Sequence, residues 1–263
     1  MRYPRIESIM NVMEKIAPLE LAENWDNVGL IINSRCKIVK RILVTLDVTG
    51  AVVNEAIERD IDVIISHHPV IFEPKTNIGQ RVEDKNIIIP LIKNGISVYS
   101  AHTNLDKAEG GVDDTLANVL GMETVKILDK ESGFGRIGRI KSSLNVEEYA
   151  QRVAKYLNAD DLYILGDREV KVKTVASVAG SGGDFLLHAV NAGADVFITG
   201  ESKYHESLVA LEYNLPIILP GHYETEAIAM EKLIIHLQKH FNALEYNVEV
   251  LSSKAQYKIK RTL

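Results

Sequence analysis

Two adjacent histidines, His67 and His68, stand where an apolar run of Val63, Ile64 and Ile65 breaks off in Ser66 and is followed by Pro69. Imidazoles there are candidates for metal ligation or proton transfer, because the neutral ring offers a lone pair and titrates near neutrality. The run is β-branched, bounded by a proline, and reads as a central parallel strand. The carboxyl end of such a strand is where open α/β sheets place their ligands. Adjacent strand residues face opposite ways, so the two rings share a target only if the chain leaves the sheet between them. Pro69 favours that exit, since it cannot donate to a ladder and holds His68 extended. The plainer alternative gives one ring to the core or rim and the other to solvent.

Two further histidines are each followed by an acid. His102 comes after the strand-like run Ile96, Ser97, Val98, Tyr99 and precedes Asp106 by four residues; His222 comes after Pro216, Ile217, Ile218, Leu219 and precedes Glu226 by four. At that spacing on a starting helix the two side chains share a face, which suits two ligands of one metal centre. The pairs are equivalent members of an internal repeat. Asp62 to Ser66 (DVIIS) overlays Asp195 to Thr199 (DVFIT) at a shift of 195 − 62 = 133, and the two His–acid pairs overlay at 222 − 102 = 120. Where the first half has His67 and His68, the second has Gly200 and Glu201, then Tyr204, His205 and Glu206. The convergence of these groups predicts a metal site.

The elements that must position them read as follows. Apolar spacing at Ile6, Ile9, Met10, Met13 and Ile16 predicts a first helix, closed by Pro18. Trp25 leads an Asx-Gly turn and reads as a hydrophobic anchor. A strand over 41–46, a helix over 51–59 and the strand before His67 make a βαβ unit with parallel strands and a right-handed crossover. Asp47 then lies at the same sheet edge as the histidines, either as a carboxylate behind the imidazoles or as part of the next helix's cap. A helix over 86–94 and a strand over 96–100 follow. Between 126 and 184 the pattern weakens: a Gly- and Arg-containing piece (133–140), a helix over 146–157 and strands over 162–165 and 172–178. The turn 180–183 has glycines that either cradle a phosphate on backbone amides or serve sterics alone.

Composition excludes several classes. The 263 residues are 46% apolar and 25% charged, so the chain can bury a large core as one domain or two lobes. A net charge of -6 gives no bulk attraction to nucleic acid or anionic membrane. No apolar run reaches the roughly 18 residues of a membrane span. The N-terminal residues read as an amphipathic helix and not as a signal peptide. The single cysteine, Cys36, fits a reducing compartment, and the expected location is cytoplasmic.

Taken together, WDNVGL (25–30), LDVT (46–49), ISHHPVIF (65–72), SAHTNLD (100–106), GFGRIG (133–138), TGESKYHE (199–206) and GHYETE (221–226) resemble the NIF-three-like family, also called GTP cyclohydrolase 1 type 2 homologues. The chain resembles the short form, without the inserted domain of longer members. The resemblance implies an α/β fold of two similar lobes, here 1–128 and 129–263 with terminal segments open to exchange, a di-metal site between them, and a homohexamer built as a trimer of dimers. It implies two divalent ions per chain, zinc, iron, manganese or nickel, held by His67, His68, Asp106, His222 and Glu226. Glu226 would bridge, with His68 and Asp106 on one ion and His67 and His222 on the other. His102, Glu201 and His205 match positions near the site and are candidates for catalytic roles, Glu201 or His205 as general base or acid. The activity implied is metal-dependent hydrolysis of a purine nucleotide, with GTP losing formate. A phosphoester or nucleotide phosphohydrolase is one alternative, and a non-catalytic metal-binding or regulatory scaffold is the other.

Overall fold

β-branched runs without polar interruption form strands covered on both faces, and here they build two sheets. The computed structural model describes residues 2–34 and 38–257, apart from the side chains of 142 and 143; Cys36 lies outside the described residues. The chain divides into two compact units, Met1–Glu109 with Met230–Tyr257, and Gly110–Ala229. Residues 110–128, which the repeat alone would give to the first lobe, belong to the second unit, and residues 230–257 belong to the first.

The first unit runs through α1 (Ile6–Ile16), β1 (Gly29–Ile32), β2 (Arg41–Thr45), α2 (Gly50–Glu58), β3 (Val63–Ser66), α3 (Ile89–Lys93), β4 (Ser97–Ser100) and α4 (Thr103–Lys107). The second carries α5 (Val112–Val119), β5 (Glu123–Ile127), β6 (Arg136–Asn145), α6 (Val146–Leu157), β7 (Tyr163–Leu165), β8 (Lys171–Val178), α7 (Leu186–Asn191), β9 (Val196–Thr199), α8 (Tyr204–Glu212) and β10 (Ile217–Leu219). The helix α9 (His222–Ala243) follows, and β11 (Glu249–Ser252) returns to the first unit. No helix among the described residues is long and apolar enough to cross a membrane.

The first sheet has the order β1-β4-β3-β2-β11. β11, β2, β3 and β4 are mutually parallel and β1 is an antiparallel edge, so β3 is central, as its apolar run predicts. The parallel addition of β11 beside β2 explains why the C-terminal segment belongs here. One difference concerns the helix expected over 86–94. A wider π-helical stretch, Asp84–Ile88, precedes α3, and Pro90 sits in the first turn of α3, where its missing N–H costs no internal bond.

The second sheet has the order β5-β6-β8-β9-β10-β7. Its strands show the period of two: Val196 and Ile198 pack with Val153 and Tyr149 in one cluster, while Phe197 packs with Leu186 and Ala189 in another. The weakly patterned piece 133–140 leads into the ten-residue β6, whose glycines and arginines mask strand alternation.

The repeat is structural as well as sequential. β3 and β9 end 133 residues apart at Ser66 and Thr199, and α2 and α7 end 133 apart at Glu58 and Asn191. Register is kept too: Val44 pairs Ile65 as Ser177 pairs Ile198. The aligned aspartates repeat one task. Asp62 Oδ2 accepts from the amides of Lys40 (2.6 Å) and Arg41 (2.9 Å). Asp195 Oδ2 accepts from those of Lys173 (2.9 Å) and Thr174 (2.8 Å), again 133 residues on. Each carboxylate ties the start of one strand to its neighbour and sets the βαβ register. Asp62→Ala and Asp195→Ala should each lower the free energy of unfolding by about 1–3 kcal/mol, the range for hydrogen bonds to a charged acceptor. Urea denaturation checks this, and an unchanged midpoint in both would remove the role.

Candidate metal centre

In the first unit the strand ends deliver three imidazoles to one place. His67 and His68 follow β3, and His102 sits at the N-cap of α4, two residues after β4. Their ring centroids are 5.0 to 5.5 Å apart, and each ring can contribute a nitrogen within 4.8 Å of the others. The chain does leave the sheet after β3, which resolves the face problem of adjacent residues.

What orients each ring is an oxygen on its Nδ1. Fully buried His67 lies 2.9 Å from the carbonyl of Ala101, which only accepts, so Nδ1 carries the proton and Nε2 the lone pair. That Nε2 faces Asp106 Oδ1 at 3.5 Å. Two electron-pair donors pointed at each other in a buried place are what a divalent cation satisfies. His68 Nδ1 lies 2.7 Å from Asp47 Oδ1 and His102 Nδ1 lies 3.0 Å from Asp26 Oδ1. The helix after Asp47 is capped by Thr49 instead, whose hydroxyl accepts from the Val52 amide, so Asp47 serves the imidazole. An acceptor on one ring nitrogen fixing the other as donor to a metal is the usual support of such ligands.

Asp26 is the residue that sequence reasoning missed. Besides His102, it accepts from the amide (3.0 Å) and hydroxyl (2.5 Å) of Thr103. Burial works to raise its pKa, but the bonds from His102 and Thr103 outweigh it and hold the carboxyl at about 2. Its only signal was its place beside Trp25 in the WDN turn. Trp25 itself is not a buried anchor, being 59% exposed; Asp26 is what anchors this turn.

In the second unit the first turn of α9 brings His222 and Glu226 together, Nε2 to Oε2 at 3.1 Å, with Glu226 4% exposed. Part-exposed Glu201 stands with Oε2 3.7 Å from His222 Nδ1. This cradle depends on two glycines. A Cβ at Gly180, where φ is +60°, would collide with Glu226 Oε1, and one at Gly200 would lie 2.7 Å from the Cα of His222. Thr225 locks the arrangement, its hydroxyl accepting from the Gly180 amide (3.0 Å). Gly180 and Gly183 therefore admit carboxylates, Glu226 and Glu206, while Gly182 admits the side chains of Val178 and Thr199. The amides of Gly180 and Gly182 already donate to the hydroxyls of Thr225 and Thr199, and the carboxylates beside the turn would repel a phosphate, which favours the steric reading. His205 lies on α8 with its side chain 73% exposed, 3.9 Å from Glu206 Oε1. Of the three expected catalytic residues, His102 thus stands with the rings of His67 and His68, Glu201 beside His222, and His205 apart on an exposed helix face.

Parallel-centred α/β sheets here end in loops that bring His67, His68 and His102 close enough together to hold a metal ion. The sequence profile of Duf34/NIF3 (NGG1p interacting factor 3) matches residues 4–258, and the chain belongs to that family. A Clostridium acetobutylicum protein named GTP cyclohydrolase 1 type 2 homolog is 34% identical over 256 residues, 95% of this chain and 96% of that protein. A Staphylococcus aureus hypothetical protein of known structure, 29% identical, superposes with a TM-score of 0.91 over 98% of this chain and 99% of that one. A Bacillus cereus protein related to NIF3 shares the fold at a TM-score of 0.94 over 100% of both chains, with 24% identity.

The depressed pKa of Asp26 has a signed consequence. Its contribution to stability is present above the unfolded value of about 3.9 and is lost as pH falls through about 2. In metal-free protein, Asp26→Asn should be less stable than wild type at pH 7 by about 1–2 kcal/mol after solvent screening, and the gap should shrink below pH 4. Denaturant titrations across pH 2–7 measure it; a gap independent of pH would contradict the assignment.

Proposed function

We propose that the chain binds two divalent metal ions and hydrolyses a purine nucleotide, with GTP the first substrate to try. The observation that carries this is the set of three imidazoles, each gripped at Nδ1 so that Nε2 is the donor. The ligands are His67, His68 and Asp106 in the first unit and His222 and Glu226 in the second, all hard or borderline donors suited to zinc, iron, manganese or nickel. Divalent ions held there supply Lewis-acid polarisation and water activation near neutral pH. Asp47 and Asp26 keep the protons of His68 and His102 on Nδ1 and resist rotation of the rings. Glu201, part-exposed beside His222, is better placed than His205 to take up and return a proton during hydrolysis. The relatives' name supports the reaction: water opens the imidazole ring of the base and a second water releases formate. A homohexamer in the cytoplasm belongs to the same proposal and is read by light scattering, where 29.3 kDa would mean a monomer.

Elemental analysis of protein purified without chelator should give two ions per chain. Glu226→Ala and Gly180→Ala, the second by pushing the carboxylate aside, should lose most of this metal, and Asp47→Ala should weaken it about 10- to 100-fold. His205→Ala should retain it. Metal below one ion per chain that added zinc, manganese or iron cannot restore would end the proposal. With metal in place, GTP should release formate, and His68→Ala and Glu226→Ala should not. Phosphate release alone would replace the cyclohydrolase with a phosphohydrolase, and no turnover at full occupancy would leave a metal-binding scaffold.

A further inference from the structure

Two large aromatic side chains flank the imidazole cluster and are left open to water. Trp25 is 59% exposed and Phe72 is 52% exposed, with ring centroids 5.8 Å apart. Both touch His102, edge to face, at 6.1 and 6.2 Å. Scattered apolar residues on a surface need no account, but paired aromatics abutting a polar cluster mark a binding surface.

The pair is also held rigidly, which exposure alone does not require. Asn27 Nδ2 donates to the carbonyl of Ile71 (2.6 Å), joining the Trp25 turn to the Phe72 segment. Asp26 pins the same turn to His102 and Thr103, and the Glu23 amide donates to the Thr103 hydroxyl at 3.0 Å. Phe72 follows His68 by four residues and Trp25 precedes Asp26 directly, so the segments that carry or support the imidazoles also fix the aromatics.

We propose that Trp25 and Phe72 form a stacking platform for the planar heteroaromatic ring, a purine base, of the small molecule handled at the imidazole cluster. This rests on the function proposed above and adds the group that selects its substrate. The ring lies on the open outer face of the pair and not between its members. Stacked centroids need about 4.5 Å at the least on each side of an inserted ring, and 5.8 Å with a 47° tilt leaves no room. π-Stacking reads the flat base and is indifferent to the sugar, so a nucleoside without phosphate binds by the same contact.

Trp25 is the only tryptophan of the chain, so its fluorescence reports this surface directly. Metal-loaded full-length protein is titrated with guanosine, with GTP, and with ribose 5-phosphate as a control. Guanosine and GTP should change the emission saturably, and ribose 5-phosphate should not. Phe72→Ala, which keeps the reporter, should raise the apparent Kd for guanosine about 5- to 150-fold, the range for loss of one base–aromatic contact. Metal content of the variant, measured alongside, confirms a folded site. An emission unaffected by guanosine, an equal response to ribose 5-phosphate, or an unchanged Kd in Phe72→Ala would overturn the platform. So would an emission that follows protein concentration and assembly mass and not nucleoside, since that would give the aromatics to a contact between copies. Failure here is distinct from failure of the proposed function. GTP turnover with unaltered KM in Phe72→Ala removes the platform alone, whereas saturable guanosine binding without formate or phosphate release removes the reaction alone.

Discussion

A neutral imidazole can donate from either nitrogen, and the cluster in the first unit depends on which nitrogen is chosen. Oxygen atoms settle it: the Ala101 carbonyl at His67, Asp47 at His68 and Asp26 at His102. Each sits on Nδ1 and leaves Nε2 as the lone-pair donor. Without them three rings with centroids about 5 Å apart would present mixed donors and acceptors and could pair with one another. The strands set the positions of the side chains to within a rotation, and these three acceptors remove the rotation.

The internal repeat shows which parts of this arrangement are scaffold and which are chemistry. Asp62 and Asp195 do the same work on equivalent strand starts, and the parallel pairing after them keeps one register. At the strand ends the halves part. The first places two imidazoles after β3, while the second places Gly200 and Glu201 after β9, and that glycine lets the backbone of His222 come close. His102 and His222 occupy equivalent positions yet lean on different groups, Asp26 in one case and Glu226 with Glu201 in the other. A common βαβ frame thus carries an imidazole-rich end in one unit and a carboxylate-rich end in the other.

Much of the scaffold was legible in the sequence, because its signals are local. α1 and α6 span the residues expected for them, 6–16 and 146–157, and β3 follows from an uninterrupted β-branched run. The pairing of His102 with Asp106 and of His222 with Glu226 could be read as a helical spacing, but the partners of those side chains could not. Asp106 turns to His67, which is 39 residues away, and His102 turns to Asp26, which is 76 away. Such bonds are made by topology, and no periodicity encodes them. The same holds for the turn at 180–183, since a glycine needed for an amide cradle and one needed to admit a carboxylate look alike in a sequence. Only the occupants, Glu226 and Glu206, tell them apart.

Those occupants bear on how an anionic substrate would be received. The second unit offers Glu201, Glu206 and Glu226 around its glycine turn, and Glu206 is further tied to the Lys203 amide at 2.7 Å. The Lys203 ammonium beside that group is already paired with Glu206 at 3.1 Å, and the carboxylates repel a nucleotide's phosphates. The first unit answers with three imidazoles and two aromatics. Affinity for a triphosphate would therefore come from ions held by the chain, and selection among nucleotides from the base. On that division of labour, metal loading and base recognition would be separable. Removing metal should weaken triphosphate binding far more than nucleoside binding, because Coulomb attraction acts on the phosphates while stacking acts on the ring.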